Sequence, residues 1–454
     1  MKVAESNVQP ALDSTIAGDL YRLVTDLYPI CRSITGDGVR ETLRHIQNIV
    51  PLSICEVPSG TRVFDWTVPR EWNVRDAWVK TLDGDRVIDF RESNLHVVNY
   101  SVPVRARVSL AELKRHLHTL PEHPTWVPYK TSYYAETWGL CISAERLRTL
   151  NDSEYDVCID STLEDGHLTY GECYLPGESK NEVLLSCHIC HPSLCNDNLS
   201  GISIATFLGQ WLSRLPRRRL SYRLLFIPGT IGSITWLARN QDKVDAIRHG
   251  LVLTGLGGPG GLVYKRSRRT DAFIDRAAVN VLRHWSQDSE IRGFTPYGYD
   301  ERQYCSPGIN LPVGCLSRTP YGEYPEYHTS ADDLSFVTAD RLADSYRACR
   351  ALIEVLEGNA TYLTLNPMCE PQLGRRGLYG AMGGAAESRL QEMALLWVLN
   401  LCDGDHSLLD VAERSSLSFD AVRNAAVLLE EHGLLQQVHA QKADARLEHT
   451  RGNG

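Results

Sequence analysis

One segment, CHICHPSLCNDNLSG at residues 187–201, constrains the fold of this chain more than any other. It follows the apolar run 183–185, which is typical of a buried strand, and it leads into an amphipathic stretch at 202–215. His188 therefore comes where a strand ends, and Asp197 comes just before a helix begins. Ligands bind at the carboxyl ends of strands in open α/β sheets, and imidazole together with carboxylate suits zinc. The segment predicts a metal site at the edge of an α/β sheet.

The surrounding sequence, from about residue 183 to 357, alternates between strand-like and helix-like patterns. Such alternation predicts an α/β domain with a parallel or mixed sheet that is covered by helices on both faces. The strand-like runs lie at 183–187, 222–228, 250–256 and 311–317, and the helical patterns lie at 202–215, 233–240, 274–285 and 339–356.

Two flanking regions have a different character. Residues 62–175 contain short runs rich in Val, Tyr and Trp with turn residues between them, which predicts an inserted β-rich domain. Three helical patterns at 388–401, 407–414 and 418–432, followed by a short apolar run, predict a winged helix. We therefore expect an α/β domain formed by 17–61 and 176–358, an inserted domain at 62–175 and a winged-helix domain at 370–440.

Composition and charge indicate where the protein acts and which kinds of partner it has. The N-terminal segment lacks a basic stretch followed by an apolar one, and no apolar run is long enough to cross a bilayer, so we expect a cytoplasmic protein with no membrane partner. The net charge of −9 gives no reason to expect nucleic acid as a partner. From residue 387 onward the chain holds eleven acidic and six basic residues, which favours protein contact or homo-oligomerisation through the winged helix over DNA binding.

A third metal ligand is predicted in the run EYPEYHTSADD at 323–333. His328 in this run follows the strand-like segment 311–317 and should reach the same edge of the sheet as His188. Asp332, four residues later, could orient that histidine, a common arrangement around metal-bound imidazole.

Other interpretations of the same residues remain open. The order Cys-x-x-Cys-His at 187–191 also matches a haem-attachment pattern, and the thiols of Cys187, Cys190 and Cys195 could form a zinc–thiolate cluster. A purely structural alternative is that these thiols pack around the site. The basic run 265–269 could meet a substrate carboxylate or phosphate, although such runs are usually solvated.

The chain resembles the zinc aminopeptidase superfamily in its strand-end histidine, its Asp-Asn-x-Ser-Gly loop at 197–201 and its Tyr-His-Thr-x-x-Asp segment at 327–332. It is more similar still to bacterial aminopeptidase-like proteins associated with polysaccharide or natural-product gene clusters, which carry an inserted β-rich domain and a C-terminal winged helix. The phrases PICRSITGDGVRETL, FDWTVPREWNVRDAWV, DERQYCSPGINLPVG and DGDHSLLDVAERS carry this likeness over nearly the whole chain. The resemblance implies an aminopeptidase-like fold with His188, Asp197 and His328 as metal ligands.

The chain departs from the family pattern at two places. The family keeps a glutamate in a Pro-Glu-Thr-Ile-Gly-Ser phrase, whereas this chain has Gly229 at that position. The superfamily's later metal-binding aspartate should follow the strand at 250–256, where only glycines and a leucine stand at 255–258. We therefore expect one zinc ion rather than two. Replacement candidates for the missing proton acceptor are Glu301, Glu326 and His191.

These residues predict a mononuclear zinc-dependent amide or peptide hydrolase that acts on an aminoacyl or peptidyl conjugate in a biosynthetic pathway, with Glu301 or Glu326 moving the proton. Two alternatives follow from Gly229. The chain could be a binding or scaffold protein on the same fold with impaired catalysis, or it could catalyse a zinc-dependent acyl transfer or cyclisation.

Overall fold

The computed structural model describes residues 9–133, 135–378 and 386–438. The chain divides into two compact units, one comprising the residues up to 275 together with 288–347, and the other comprising 276–287 together with the residues from 348. Within the described ranges, no helix has the length and apolar character that a membrane span requires. The helices are α1 (Gln9–Leu27), α2 (Asp37–Gln47), α3 (Leu110–Leu113), α4 (Ala144–Thr149), α5 (Ser200–Arg214), α6 (Ile231–Arg239), α7 (Gln241–Val244), α8 (Phe273–Arg283), α9 (Glu301–Tyr304), α10 (Ala339–Gly358), α11 (Ala386–Leu401), α12 (Leu408–Ser415) and α13 (Phe419–Glu431).

The strands form a large central sheet and several smaller sheets. They are β1 (Ser53–Pro58), β2 (Arg62–Val63), β3 (Trp66–Thr67), β4 (Glu71–Lys80), β5 (Arg86–Asp89), β6 (Val104–Ser109), β7 (Leu117–His118), β8 (Leu140–Cys141), β9 (Glu154–Glu164), β10 (His167–Leu175), β11 (Glu182–His188), β12 (Ser221–Ile227), β13 (Ile247–Leu253), β14 (Val263–Lys265), β15 (Glu290–Arg292), β16 (Val313–Ser317), β17 (Thr361–Thr364), β18 (Asp403–Ser407) and β19 (Leu435–Gln437).

The central sheet has eight strands in the order β1-β10-β12-β11-β13-β16-β14-β15. Strands β12, β11, β13 and β16 run parallel to one another, so their carboxyl ends meet at one edge. Strand β11 lies between β12 and β13, the next two strands along the chain, and the chain order therefore reverses around it. This is the position at which open α/β sheets bind ligands. The predicted mixed α/β sheet is confirmed.

The four parallel strands are almost fully buried, which explains their near-continuous apolar sequence. One charged pair interrupts the apolar run. Arg223 on β12 donates from Nε to Glu182 Oε2 on β11 at 2.7 Å, and both side chains are buried. Arg223 also forms an ion pair with Glu172 of β10, so this guanidinium faces two carboxylates at the end of the sheet opposite the carboxyl edge.

A separate four-stranded sheet in the order β5-β4-β9-β6 occupies most of the region in which the sequence predicted an inserted β-rich domain. The predicted boundary at residue 175 lies one strand too late, because β10 pairs with β1 and β12 in the central sheet. The Val- and Tyr-rich composition of β10 is typical of a strand in either sheet, so composition alone could not assign it.

The second unit contains the predicted winged helix. Helices α11, α12 and α13 are accompanied by a three-stranded sheet in the order β18-β17-β19. Ser407 accepts a hydrogen bond from the Asp410 backbone N–H while the Asp410 carboxylate accepts from Ser407, a capping box that fixes the start of α12. Strand β17 lies before the predicted start at residue 370, and residues 379–385, 439 and 440 of the predicted domain lie outside the described residues.

Candidate metal centre

Three predicted residues meet at the carboxyl edge of the central sheet. His188 is the last residue of β11, and Asp197 lies in the turn Cys195–Leu199 that leads into α5. His328 belongs to the loop between β16 and α10. His188 Nε2 lies 2.8 Å from Asp197 Oδ1, and His328 Nε2 lies 3.0 Å from Asp197 Oδ2. The two imidazoles thus face opposite oxygens of one carboxylate.

The Asp197 carboxylate is the centre of this cluster and is completely buried. Burial alone would raise its pKa, but the facing imidazoles of His191, His188 and His328 hold the pKa of Asp197 well below its ordinary value. The Tyr299 hydroxyl donates a further hydrogen bond to Asp197 Oδ1 at 3.2 Å. Asp197 is therefore an ionised, acceptor-rich carboxylate surrounded by nitrogen donors.

His191 adds a third imidazole, one that the sequence suggested only as a proton acceptor. Donor atoms of His188, His191 and Asp197 all lie within 4.8 Å of one another. His191 Nδ1 lies 3.6 Å from Asp197 Oδ2 and makes no hydrogen bond. Burial lowers the pKa of His191 to about 3, so the ring is neutral at pH 7 and its lone pair is free for a cation.

Asp332 supports the centre differently from the prediction. Its carboxylate accepts hydrogen bonds from the backbone N–H groups of Asn196 at 2.6 Å and Asp197 at 3.0 Å. It therefore fixes the peptide that carries Asp197, whereas the sequence had assigned it to His328. Burial raises the pKa of Asp332 to about 8.

Tyr129, in the loop between β7 and β8, contacts the centre, and nothing in the sequence predicted this contact. Its backbone N–H donates to the His328 carbonyl oxygen at 2.8 Å. Its ring packs edge-on against His191 and His328, with ring centroids 5.2 and 5.0 Å away. His328 has a left-handed backbone, with φ of 56°, and this hydrogen bond helps to hold it there.

Gly229 and Asp300 lie together beside His188. A Cβ built on Gly229, just after β12, would lie 3.1 Å from His188 Cβ and 3.6 Å from each Asp300 carboxylate oxygen. Asp300 Oδ1 accepts a hydrogen bond from Ser233 Oγ at 2.8 Å, whereas Asp300 Oδ2 is buried with no partner. Burial raises the pKa of Asp300 to about 6, against the opposing effect of His188. The sequence hypothesis named the next residue, Glu301, and missed Asp300.

The two carboxylates among the predicted proton acceptors occupy different surroundings. Glu301 is fully buried and forms an ion pair with Lys265. Both residues line a cavity of about 230 Å³ that also borders Tyr299. Glu326 is partly exposed, two residues before His328, and its backbone carbonyl accepts from Thr329. The cavity is thus connected to the metal centre through Tyr299, which contacts both.

The thiols in the 187–201 segment are neutral packing groups. Burial raises the pKa of Cys187, Cys190 and Cys195 above the ordinary thiol value, to about 12 for Cys190. A protonated thiol is a poor zinc ligand, and the cluster of donor atoms contains none of the three. Buried Arg32 instead supports the loop, donating from Nε to the His191 carbonyl oxygen at 2.9 Å.

The donor set fits zinc. Imidazole nitrogens and a carboxylate oxygen are its usual ligands in catalytic sites, and the lone-pair nitrogen of His191 and the ionised Asp197 need no proton loss before binding. His328, with 32% of its side chain exposed, marks the side from which the centre can be reached.

Comparisons with known proteins agree with this fold. A family model described as a domain of unknown function (DUF4910) matches residues 21–359, and a winged helix-turn-helix model matches residues 360–437. A Clostridium acetobutylicum protein, described as a candidate polysaccharide biosynthesis protein with an aminopeptidase-like domain, is 51% identical over 425 residues that cover 94% of this chain and 98% of the relative.

Two solved structures also share this fold. The crystal structure of a candidate peptidase from Clostridium acetobutylicum superposes with a TM-score of 0.90 at 50% identity and covers 96% of this chain and 99% of the other. A zinc aminopeptidase from Bacillus subtilis superposes with a TM-score of 0.55 at 12% identity, covering 75% of this chain and 94% of the other, and so shares the fold.

Proposed function

The chain belongs to the family described as a domain of unknown function (DUF4910), and from that premise we propose that it is a metal-dependent amide hydrolase with one zinc ion. The observation that carries the proposal is the arrangement around Asp197, whose two oxygens face His188 and His328 while His191 lies close by. The aminopeptidase-like description of the Clostridium acetobutylicum relative supports the same reaction class.

A single divalent ion is consistent with the buried charges of the centre. The fully buried carboxylates of Asp197, Asp300 and Asp332 are accompanied by one buried guanidinium, that of Arg32. Because burial raises the pKa of Asp332 to about 8, its carboxyl is largely protonated at pH 7, and ionised Asp197 and Asp300 together with Arg32 then sum to −1. One zinc ion leaves the buried centre with one positive charge, whereas a second ion would leave three.

His188, Asp197 and His328 would hold the zinc ion, with His191 as a further donor, and the bound ion would supply Lewis acidity toward a scissile carbonyl and toward water. The hydroxyl of Tyr299 donates a hydrogen bond to Asp197 and keeps its carboxylate oriented. In the proposed reaction the oxygen of water bonds to the carbonyl carbon, and its proton passes to a carboxylate and then to the leaving nitrogen as the C–N bond breaks.

Of the predicted proton acceptors, Glu326 is better placed than Glu301 for this transfer. Its side chain is partly exposed, and it lies two residues before His328 along the chain. Glu301 is buried and already paired with Lys265, so taking up a proton would leave that ammonium group uncompensated. We assign Glu301 instead to the wall of the neighbouring cavity.

The cavity beside Tyr299 favours a small polar substrate group. It is lined by aromatic and hydroxyl side chains together with the Lys265–Glu301 pair, and at about 230 Å³ it suits one amino acid or one sugar ring. We propose an aminoacyl or acylated conjugate from a biosynthetic pathway, and the relative's description points to polysaccharide precursors. The aromatic lining residues are Tyr299, Tyr321 and Tyr324.

The test is product analysis. Zinc-loaded protein is incubated with a panel of aminoacyl amides, short peptides and N-acylated amino sugars, and the masses are recorded. Hydrolysis adds one water to one conjugate class, and His188→Ala abolishes the reaction while His432→Ala, at an exposed position, retains it. Zinc-loaded wild type that turns over no conjugate supports the alternative of a binding protein. A product mass without added water identifies acyl transfer or cyclisation.

A further inference from the structure

We infer that the cavity beside Tyr299 binds the ring of an uncharged sugar, whose hydroxyl groups bond to Thr254, Lys265 and Glu301. This inference rests on the proposed function, because it names the class of conjugate that the hydrolase takes. It also makes Glu301 a substrate-binding carboxylate, whereas the sequence had suggested it for proton transfer.

Two buried side chains that line the cavity have polar atoms without a hydrogen-bond partner. Thr254 is 1% exposed and Glu301 is completely buried. Thr254 Oγ1 and Glu301 Oε2 make no hydrogen bond, whereas Glu301 Oε1 faces the ammonium group of Lys265. An unsatisfied buried polar atom is costly, and the cavity is the space from which a partner can reach it. The two atoms therefore indicate a ligand that forms hydrogen bonds at two places.

The charged groups that line the cavity are already paired with one another. Lys265 forms an ion pair with Glu301, and Arg292 forms one with Glu323. The other described residues of the lining are uncharged. A ligand with a free carboxylate, phosphate or ammonium group would have to break one of these pairs or remain without a counter-charge. The lining therefore favours a ligand that carries no charge.

Neighbouring hydroxyl groups match the Lys265–Glu301 pair. A hydroxyl both donates and accepts, whereas a carboxylate only accepts and an ammonium group only donates. Lys265 Nζ also donates to the Tyr297 carbonyl oxygen at 2.9 Å, so its three protons allow one further bond. Adjacent hydroxyls of one sugar ring can donate to Glu301 Oε2 and accept from Lys265 Nζ. An apolar amino acid side chain in the same space would leave Thr254 and Glu301 unsatisfied.

Tyrosine rings supply the apolar part of the cavity. Tyr299, Tyr321 and Tyr324 line it, and the rings of Tyr299 and Tyr321 meet edge-on with centroids 5.1 Å apart. Aromatic rings bury apolar surface efficiently, and the C–H faces of a sugar ring are its apolar surface. Tyr299 also stacks on His188 with ring centroids 4.7 Å apart and donates to Asp197. This tyrosine therefore contacts the metal centre and borders the sugar site.

The experiment titrates zinc-equilibrated protein with the methyl glycosides of glucose, galactose and N-acetylglucosamine, and follows each sugar by saturation-transfer NMR. Leucinamide is titrated in parallel as a probe for an amino acid. We expect at least one glycoside to bind with a dissociation constant of about 1 mM, which is ordinary for a ligand of this size.

Two variants locate the bound sugar. Thr254→Val replaces the hydroxyl with a methyl group, and Glu301→Gln removes the carboxylate charge. We expect Thr254→Val to weaken glycoside binding about 2- to 10-fold and Glu301→Gln about tenfold or more, because hydrogen bonds to charged groups are stronger.

The melting temperature distinguishes a binding role of Thr254 from a structural one. Thr254→Val should melt at the wild-type temperature or higher, because an unsatisfied buried hydroxyl is gone. A hydroxyl that stabilises the fold would give a lower melting temperature instead. Thr206→Val is the matched control, since the buried Thr206 hydroxyl donates to the Ile202 carbonyl oxygen at 2.7 Å and Thr206 does not line the cavity. It should bind the glycoside as wild type does.

The outcomes separate this inference from the proposed function. Glycoside binding that Thr254→Val and Glu301→Gln weaken supports the sugar site, whether or not a conjugate is hydrolysed. Hydrolysis of a conjugate by wild type that binds no glycoside overturns the inference alone, and the absence of both overturns both. A glycoside that binds the two variants as tightly as wild type overturns the inference, as does leucinamide binding that the same variants weaken.

Discussion

The carboxylate of Asp332 accepts a hydrogen bond from the backbone N–H of Asp197 at 3.0 Å, across 135 residues of sequence. Its other oxygen accepts from the Asn196 N–H at 2.6 Å. The turn that carries the central metal-facing carboxylate is thereby tied to the loop that carries His328. The geometry of the centre depends on this connection as much as on the ligands themselves.

Substitution of Asp332 by asparagine should weaken the centre without removing a ligand. The amide presents only one oxygen to two backbone donors, so one N–H loses its acceptor. We expect the free energy of unfolding to fall by about 1–3 kcal/mol and zinc affinity to fall about 10- to 100-fold. Denaturant titration and metal competition measure the two effects. Asp333→Asn, at a partly exposed neighbour, is the control, and equal effects for both variants would contradict the account.

A second prediction concerns pH. Arg40 donates to both oxygens of Glu71, at 2.8 and 2.6 Å, and this pairing lowers the pKa of Glu71 to about 2. Because the pKa in the folded state lies below that in the unfolded state, the stabilisation is complete above about pH 5 and is lost as the pH falls toward 2. Glu71→Gln should cost about 2 kcal/mol at pH 7 and flatten the acid limb of the stability curve.

Glu56→Gln is the matched control for that measurement. Glu56 contacts the same guanidinium at 2.8 Å but is 42% exposed, so solvent screens its contribution. Its loss should cost well under half as much as the loss of Glu71. Indistinguishable acid limbs for wild type and Glu71→Gln would show that the pair does not set the acid stability.

The Lys265–Glu301 pair gives a third prediction. Both side chains line the cavity, and Glu301 is completely buried. Lys265→Met leaves an uncompensated buried carboxylate and should cost about 3–5 kcal/mol, whereas Lys265→Met combined with Glu301→Gln should cost less than the single variant. Urea unfolding of the single and double variants checks this. Additive costs would mean that the two charges do not interact.

The sequence predicted those site residues whose positions depend on the neighbouring chain segments. His188 and Asp197 were identifiable because a strand end and a helix start position them, whatever the rest of the chain does. The winged helix was predicted for the same reason, since its helices are short amphipathic segments with local signals, such as the cap at Ser407.

The contacts that sequence could not reveal join distant segments. Tyr129 reaches His328 from the loop between β7 and β8, and no periodicity of the 127–130 segment encodes that contact. The sequence did not distinguish Asp300 from Glu301, because the two residues are adjacent at the start of the short helix α9. Only the packing of that helix decides which carboxylate lies beside His188. The placement of β10 in the central sheet depends equally on pairing partners rather than on composition.

A fourth prediction concerns the winged helix. Three acidic residues of its last helix, Asp420, Glu430 and Glu431, are exposed. A surface that repels phosphate should not bind DNA, so fluorescence anisotropy of a 30-base-pair duplex should not change at low salt up to about 10 µM protein. Salt-sensitive binding in that range would contradict our expectation and assign the domain to nucleic acid.

The most direct test of the central claim is the zinc content of the protein. Metal analysis after equilibration with excess zinc and gel filtration should find one ion per chain in wild type and none in Asp197→Asn. Asp160→Asn, changed at an exposed ion pair of the inserted sheet, should retain the wild-type content. No bound zinc in wild type, two ions per chain, or an undiminished content in Asp197→Asn would contradict the account.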